Sequence, residues 1–522
     1  MTRDAGGTRA RRFAGAHGHS RAIASGSQRL LAVLHPAALA ATWVVSEFAT
    51  TGTPTWALWR PLLIFVSAAI GLQVVLTALT RRPWLAAFVA SSAAMGATGL
   101  LQLAAILAVP PVAWGGVLVA QRLRGPGRST GDELVRKLSA LAGMASLIAA
   151  VGTAAEAAAS GAFWNVADLA PVIGEASPDA PDIYLLMLDG YPRSDVLAQQ
   201  FGVDNSGFLG ELESRGFEVA DDSRSNYSIT WLTLASLFQM AYAHELPALE
   251  GVSERGPEQY RVLGELVNRS PAFGLLRRAG YQIVTSPSPF SEIEIVTADR
   301  SFPVAGRTWF ETELIADSPL SDLLSPLIRA WALEERRSAV NVELARLVDV
   351  ARRDDGQPAF MFDHIVSPHA PFVFAADGSA RPLPRCYPES CLLFESNPRR
   401  LGLAPDDYAD ALAGQIAYLN GRLLETIDKV TAARPDAAIV LFSDHGTRYD
   451  LGADPTEATR NFFAARLPDR PDLFDDSVHL VNLLPILLNA YAGTEIPTMP
   501  FSAWVSTGYP LQVEPLDSPR AD

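Results

Sequence analysis

The sequence predicts a polytopic membrane region joined to an α/β domain built on a mostly parallel, doubly wound sheet, and three observations carry that prediction. Apolar runs crowd residues 29–158; farther on, nearly continuous apolar segments end in acidic turns; and those segments alternate with stretches of helical periodicity. A chain of 522 residues also exceeds one ordinary core, so at least two units are expected.

The membrane region follows from the length of its apolar runs, because crossing a hydrocarbon core takes about 20 predominantly apolar residues per helix. Five runs qualify: Leu30 to Phe48, Leu58 to Leu79, Trp84 to Leu101, Leu103 to Ala120 and Leu138 to Ala158. Arg9, Arg11, Arg12, Arg21 and Arg29 precede the first, Arg81 and Arg82 follow the second, and Arg122, Arg124, Arg128, Arg136 and Lys137 separate the fourth from the fifth. Positive loops stay cytoplasmic. Five spans put all three clusters inside and everything after about residue 160 outside. The expected order is a basic cytoplasmic tail over 1–28, membrane helices over 29–158, a Gly/Pro-containing linker over 159–180, a catalytic domain over 181–495 and a tail over 496–522.

The formal net charge of -15 belongs to the C-terminal part, since the first third carries an excess of Arg and Lys. An acidic domain lacks the dense cationic contacts that phosphate-backbone affinity requires, which sets nucleic acid aside as a partner. Cys386 and Cys391 are the only cysteines. In an exported Pro-rich loop such a pair is placed to form a disulfide, and two thiols with no nearby His are too few for a zinc site.

Within the α/β part, residues 182–188 (DIYLLML) and 437–442 (AAIVLF) read as strands buried on both faces, with two more at 281–285 and 359–362. Helical periodicity covers 206–215, 260–278, 330–352 and 408–433. Open sheets of this kind collect ligands at the carboxyl ends of their strands. The first strand ends in Asp189-Gly190 and the last in Ser443-Asp444-His445-Gly446. A carboxylate beside an imidazole at a strand end is costly to bury unless the two share a cation. Thr230 and Ser228, at the start of a helical stretch, read on their own as helix caps.

Four segments taken together look like the alkaline phosphatase/sulfatase superfamily: MLDGYPR (187–193), SNYSITWLTLASLF (225–238), SPHAPFVF (367–374) and LFSDHG (441–446). The resemblance covers roughly residues 181–495. It implies that Thr230 is the nucleophile at a helix N-terminus, where an anion is favoured, and that Asp189, Thr230, Asp444 and His445 hold one divalent ion. Manganese is the first expectation, with magnesium or zinc also compatible with oxygen and nitrogen ligands. His369 would contact the transferred group or the leaving oxygen, with His364 competing for that role. Asn226, Arg448 and Arg460 are expected at substrate oxygens. Asp363, His364 and His369 have the wrong spacing for a second metal, and His479 reads as a satisfied structural histidine.

The sulfatase branch resembles a Cys/Ser-x-Pro-x-Arg signature, which Thr230-Trp231-Leu232-Thr233-Leu234 lacks. The chain is instead similar to the phosphoethanolamine transferase and lipoteichoic acid synthase branches. That similarity implies a cell-membrane phosphotransferase or phosphodiesterase acting on lipid-linked or cell-envelope polysaccharide substrates at the bilayer. Alternatives are an extracellular sulfuric or phosphoric ester hydrolase, or an inactive relative that binds rather than reacts.

Overall fold

The computed structural model describes residues 34–81, 86–87, 90–91, 128–164, 174, 180–316, 321–353, 356–384, 401–449 and 454–516. The chain divides into two compact units, the first built from the N-terminal helices and the second from residues 51–54, 164–316 and 321–522.

In the N-terminal unit, residues 34–51, Trp59–Thr80 and Arg128–Ala159 are helical. Among the described residues, two helices are long and apolar enough to cross a membrane, Thr55–Leu79 and Ala140–Ala159. Both turn large apolar side chains outward, Leu63, Val74 and Leu79 on one, Leu141, Ile148 and Val151 on the other. Water would penalise such a surface and hydrocarbon would not. These two helices match the second and fifth expected spans. The third and fourth expected spans, together with Arg82 and the basic tail, fall largely or wholly outside the described residues.

The second unit is organised by a seven-stranded sheet in the order β2-β7-β6-β1-β5-β3-β4. Its strands are β1 (Ile183–Leu188), β2 (Glu218–Val219), β3 (Gln282–Thr285), β4 (Arg300–Ser301), β5 (Ala359–Ile365), β6 (Ala438–Phe442) and β7 (Phe463–Arg466). β4, β3, β5, β1 and β6 run parallel, while β7 is antiparallel to β6 and to β2. All six side chains of β1 are buried, because the strand feeds two cores at once. Ile183, Leu185 and Met187 pack with Phe360, Phe362, Val440 and Phe442, and Tyr184, Leu186 and Leu188 pack with Met361, Ile365, Ile439 and Leu441. Two-residue alternation with apolar groups on both faces is what an unbroken apolar strand encodes.

Several boundaries differ from the sequence expectation. β5 runs through Ile365, so Asp363 and His364 sit within the strand and on opposite faces instead of beyond its end. The periodic stretch 260–278 is two helices, Glu258–Asn268 and Pro271–Arg278, because Pro271 lacks the amide to continue the first and suits the opening turn of the second. Residues 503–516 are not a loose tail. They form a hairpin, Trp504–Ser506 with Val513–Pro515, and Trp504 exchanges backbone hydrogen bonds with Asn226 and Ser228 in the loop ahead of Thr230. Cys386 and Cys391 lie outside the described residues.

Candidate active site

β1 is flanked by β5 and β6, so the carboxyl ends of three strands meet at the point where the sheet reverses its strand order. Asp189 leaves the end of β1, and Asp444 and His445 leave the end of β6. The Asp189 amide is held by the Ile365 carbonyl at 3.0 Å, and the Asp189 carbonyl accepts the His369 amide at 3.0 Å, which ties the ends of β1 and β5 together. The turns are close-packed. Gly190 is left-handed (φ +66°), and a Cβ there would lie 3.3 Å from the His369 ring and 3.4 Å from that of His445. At Gly446 a Cβ would come within 2.1 Å of the Glu457 carbonyl oxygen, an approach only glycine permits.

Asp189, Asp444 and His445 are buried, with one ligand atom from each lying within 4.8 Å of the others. His445 Nε2 is 3.7 Å from Asp189 Oδ1 and 3.5 Å from Asp444 Oδ2. These separations are too long for hydrogen bonds, and the three atoms have no hydrogen-bond partner among the described residues. Donors bound at 2.0–2.2 Å to a tetrahedral ion stand about 3.4 Å apart, close to what is seen. Three orphaned polar atoms that face one another, each costing on the order of 1–3 kcal/mol if unmatched, are what a divalent cation would satisfy. The residues present therefore fit the group that the sequence implied.

The rest of the site prepares these atoms. His445 Nδ1 lies 2.8 Å from the Gly446 carbonyl, so it carries the proton and leaves Nε2 with a free lone pair. Asp189 Oδ2 is 3.0 Å from His364 Nε2, and His364 Nδ1 is 3.0 Å from the Ser288 hydroxyl. Asp444 Oδ1 accepts the Gly190 amide at 3.1 Å. Ser443 accepts the Tyr191 amide and donates to the His445 carbonyl at 2.7 Å, which clamps the two turns together.

Thr230 opens the buried helix Thr230–Gln239. The preceding Ile229 makes no side-chain cap, and Ser228 spends its hydroxyl on the Ser506 amide, so the helix end has no side-chain cap. Thr233 fixes the helix on the Asp444 carbonyl at 3.0 Å. The Thr230 hydroxyl lies near enough to the Asp444 carboxylate to favour its charged form.

The two carboxyls titrate in opposite directions. Burial raises Asp444 and the neighbouring Asp189 carboxylate raises it further, against the pull of His445, His364 and Thr230. Burial also acts to raise Asp189, but His369, His364 and His445 outweigh it and hold Asp189 well below the usual carboxylate range. His369 is itself pushed down to about 4 by burial, so its pull operates in acid, while at neutral pH the His364 hydrogen bond keeps Asp189 ionised. Below the raised Asp444 pKa a cation must therefore displace a proton from that carboxyl. Divalent-ion affinity measured by calorimetry should tighten about tenfold per pH unit below the raised Asp444 pKa and level off above it. A pH-independent affinity would contradict this arrangement.

His369 stands between two cis peptides, Ser367-Pro368 and Ala370-Pro371. Its Nδ1 is 2.8 Å from the Ala370 carbonyl and its Nε2 is 3.3 Å from Arg448 Nη2. Gly190, His369, His445 and Arg448 line a small pocket. The structure thus brings Asp189, Thr230, His364, His369, Asp444, His445 and Arg448 together. It does not do so for Asn226, whose side chain holds the Val481 amide and the Ser502 carbonyl, because the loop carrying it is stapled to the C-terminal hairpin. Arg460 turns to Thr456, Asp454 and Asp195 on a half-exposed loop. His479 is satisfied by Asn226 and Asn482. Sequence reasoning passed over Ser288, which no local pattern links to His364, and Ser443, whose role was readable only as part of the Ser-Asp-His-Gly turn.

No family model matches the chain, and no curated protein matches it. Among solved structures the fold is similar to the C-terminal periplasmic domain of EcEptC from Escherichia coli in complex with Zn, at 14% identity, covering 66% of this chain and 96% of that one, with a TM-score of 0.40. It is also similar to the phosphonate monoester hydrolase of Agrobacterium radiobacter, at 13% identity over 62% of this chain and 80% of that one, TM-score 0.41. A third is the lipoteichoic acid synthase LtaP from Listeria monocytogenes, at 14% identity over 66% and 82%, TM-score 0.39. Likenesses this remote carry no inference about chemistry.

Proposed function

We propose that the chain is a membrane-anchored, metal-dependent phosphotransferase or phosphodiesterase of the alkaline phosphatase/sulfatase type, with Thr230 as nucleophile. The observation that carries this reading is the trio of buried atoms without a hydrogen-bond partner among the described residues, Asp189 Oδ1, Asp444 Oδ2 and His445 Nε2, with the Thr230 hydroxyl at a helix N-terminus near Asp444. Asp189, Asp444, His445 and Thr230 would hold the ion, which supplies Lewis acidity toward the phosphoryl oxygens and the Thr230 hydroxyl.

In this reading Thr230 Oγ1 attacks the phosphorus of a phosphodiester, the bond from phosphorus to one ester oxygen breaks, and that alcohol leaves with the proton given up by the Thr230 hydroxyl. The phosphoryl group, still carrying its other ester, stays on Thr230 until an acceptor hydroxyl or water takes it. The helix N-terminus favours the anionic intermediate. His369 is neutral at pH 7 and has Nδ1 anchored on the Ala370 carbonyl. Its Nε2 is therefore suited to accept the acceptor's proton, while Arg448 is suited to meet phosphoryl oxygens.

Five membrane spans, an extracytoplasmic catalytic unit, a Cys386 to Cys391 disulfide and manganese as the resident ion complete the proposal. An apolar anchor would confine the unit near the bilayer, which suits lipid-linked or cell-envelope polymer substrates. Mass spectrometry after rapid quenching with a phosphodiester donor should find a phosphoryl adduct on the peptide carrying Thr230. Product analysis with and without an alcohol acceptor then separates transfer from hydrolysis. An adduct on another residue, or a sulfuryl adduct, would sink the reading.

A further inference from the structure

A second cavity lies beside the centre, with room for several waters or a small anion at about 90 Å³. Phe290, Trp309 and Val366 give it apolar walls, and Arg307, Glu335, Arg336 and Glu343 give it polar groups. Phe290 stacks on the His364 ring, centroid to centroid 5.8 Å. Arg336 donates to the Ala370 carbonyl at 3.2 Å, the oxygen that also anchors His369. The cavity is thus one side chain removed from the histidines that serve Asp189 and the reacting group.

Arg307 is the group that demands explanation. Its side chain is 9% exposed, its Nε donates to Glu335 at 2.6 Å, and its guanidinium lies 4.1 Å over the Trp331 ring. Nη1 and Nη2 are buried and have no hydrogen-bond partner among the described residues. A guanidinium offers five N–H donors in a planar fork, and here one nitrogen is used while the other two stay unmatched on a residue that lines a cavity. Leaving charged donors unmatched is costly. Among the described residues, the unmatched atoms that Arg307 brings to the cavity are both donors.

We propose that this cavity is a subsite for a second anionic group, a phosphate or carboxylate on the part of the substrate that is not transferred, bound by the Arg307 fork. The anion binding stands on the cavity alone. Its assignment to a substrate rests on the phosphoryl-transfer reading above.

The test uses the full chain in neutral detergent micelles with chelator present, titrated calorimetrically with inorganic phosphate. The wild type should bind, and Arg307→Gln should weaken binding about ten- to a hundredfold. Arg307→Lys, which keeps the charge and loses the fork, should fall between and serves if the Gln variant unfolds. Asp444→Asn should bind like the wild type. Adding phosphatidylglycerol to the micelles identifies the source: competition with phosphate assigns the subsite to a lipid headgroup, and lack of competition assigns it to a soluble phosphate. The proposal is overturned if the wild type does not bind, if Arg307→Gln binds equally well, or if Asp444→Asn abolishes binding, which would place the anion at the metal centre. A missing Thr230 adduct leaves this result untouched, so the two readings fail separately.

Discussion

Thr230→Ala should abolish turnover, with kcat falling about 10⁴-fold or more, while divalent-ion affinity falls far less. The hydroxyl is the nucleophile in the proposed reaction, and nucleophile removal in enzymes that use a covalent intermediate costs this much because the remaining groups act only around it. Asp189, Asp444 and His445 stay in place without it, since their supports are the Ile365 carbonyl, the Gly190 amide and the Gly446 carbonyl. Single-turnover kinetics and metal titration on one preparation check both halves. Turnover within tenfold of wild type would remove Thr230 from the chemistry, and collapse of metal binding would make it chiefly a ligand. Thr230→Ser should retain measurable activity, because the oxygen and its helix position survive.

Asp444→Asn should separate function from stability with opposite signs. Without a cation, Asp444 is a buried carboxyl whose ionisation is opposed by burial and by Asp189. Its folded pKa is raised, so the metal-free protein loses stability as pH rises through that value. The amide keeps the Oδ1 contact to the Gly190 amide and cannot ionise, so the metal-free variant should melt above the metal-free wild type at neutral pH and level with it in acid. With ion present the order should reverse. Ion at 1,000 times its Kd stabilises the wild type by about 4 kcal/mol, and the variant forfeits most of that together with activity. Thermal unfolding with chelator and with manganese, at two pH values, reads both effects. Equal melting of the two proteins under every condition would mean that Asp444 neither repels Asp189 nor meets a cation.

The parts of this molecule that sequence exposes are those encoded over short distances. The strands ending at Leu188 and Phe442 were legible because six and five successive buried residues leave an unbroken apolar run. Asp189, Asp444 and His445 were legible because each follows such a run at once. β7 escaped notice: Phe463–Arg466 is only four residues long and runs antiparallel to its neighbours. His364 looked like a loop residue because Asp363 broke the apolar pattern, yet the strand continues. Asn226 looked poised for substrate because nothing local reveals that residues near 480 and 502 capture its amide. Arg307 had no local signature either, since its character comes from a helix that follows it and from a cavity.

The pairing of β1 with β6 also governs when the centre can exist. Gly190 and Asp444 are joined by a hydrogen bond across 254 positions of chain, and closing so long a loop is entropically opposed until the intervening helices and strands have condensed. A chain emerging from its amino end therefore exposes Asp189 long before Asp444 and His445 have been made. Until then a lone carboxylate offers a passing ion little hold. In the proposed reading, metal capture would therefore be a late event of folding.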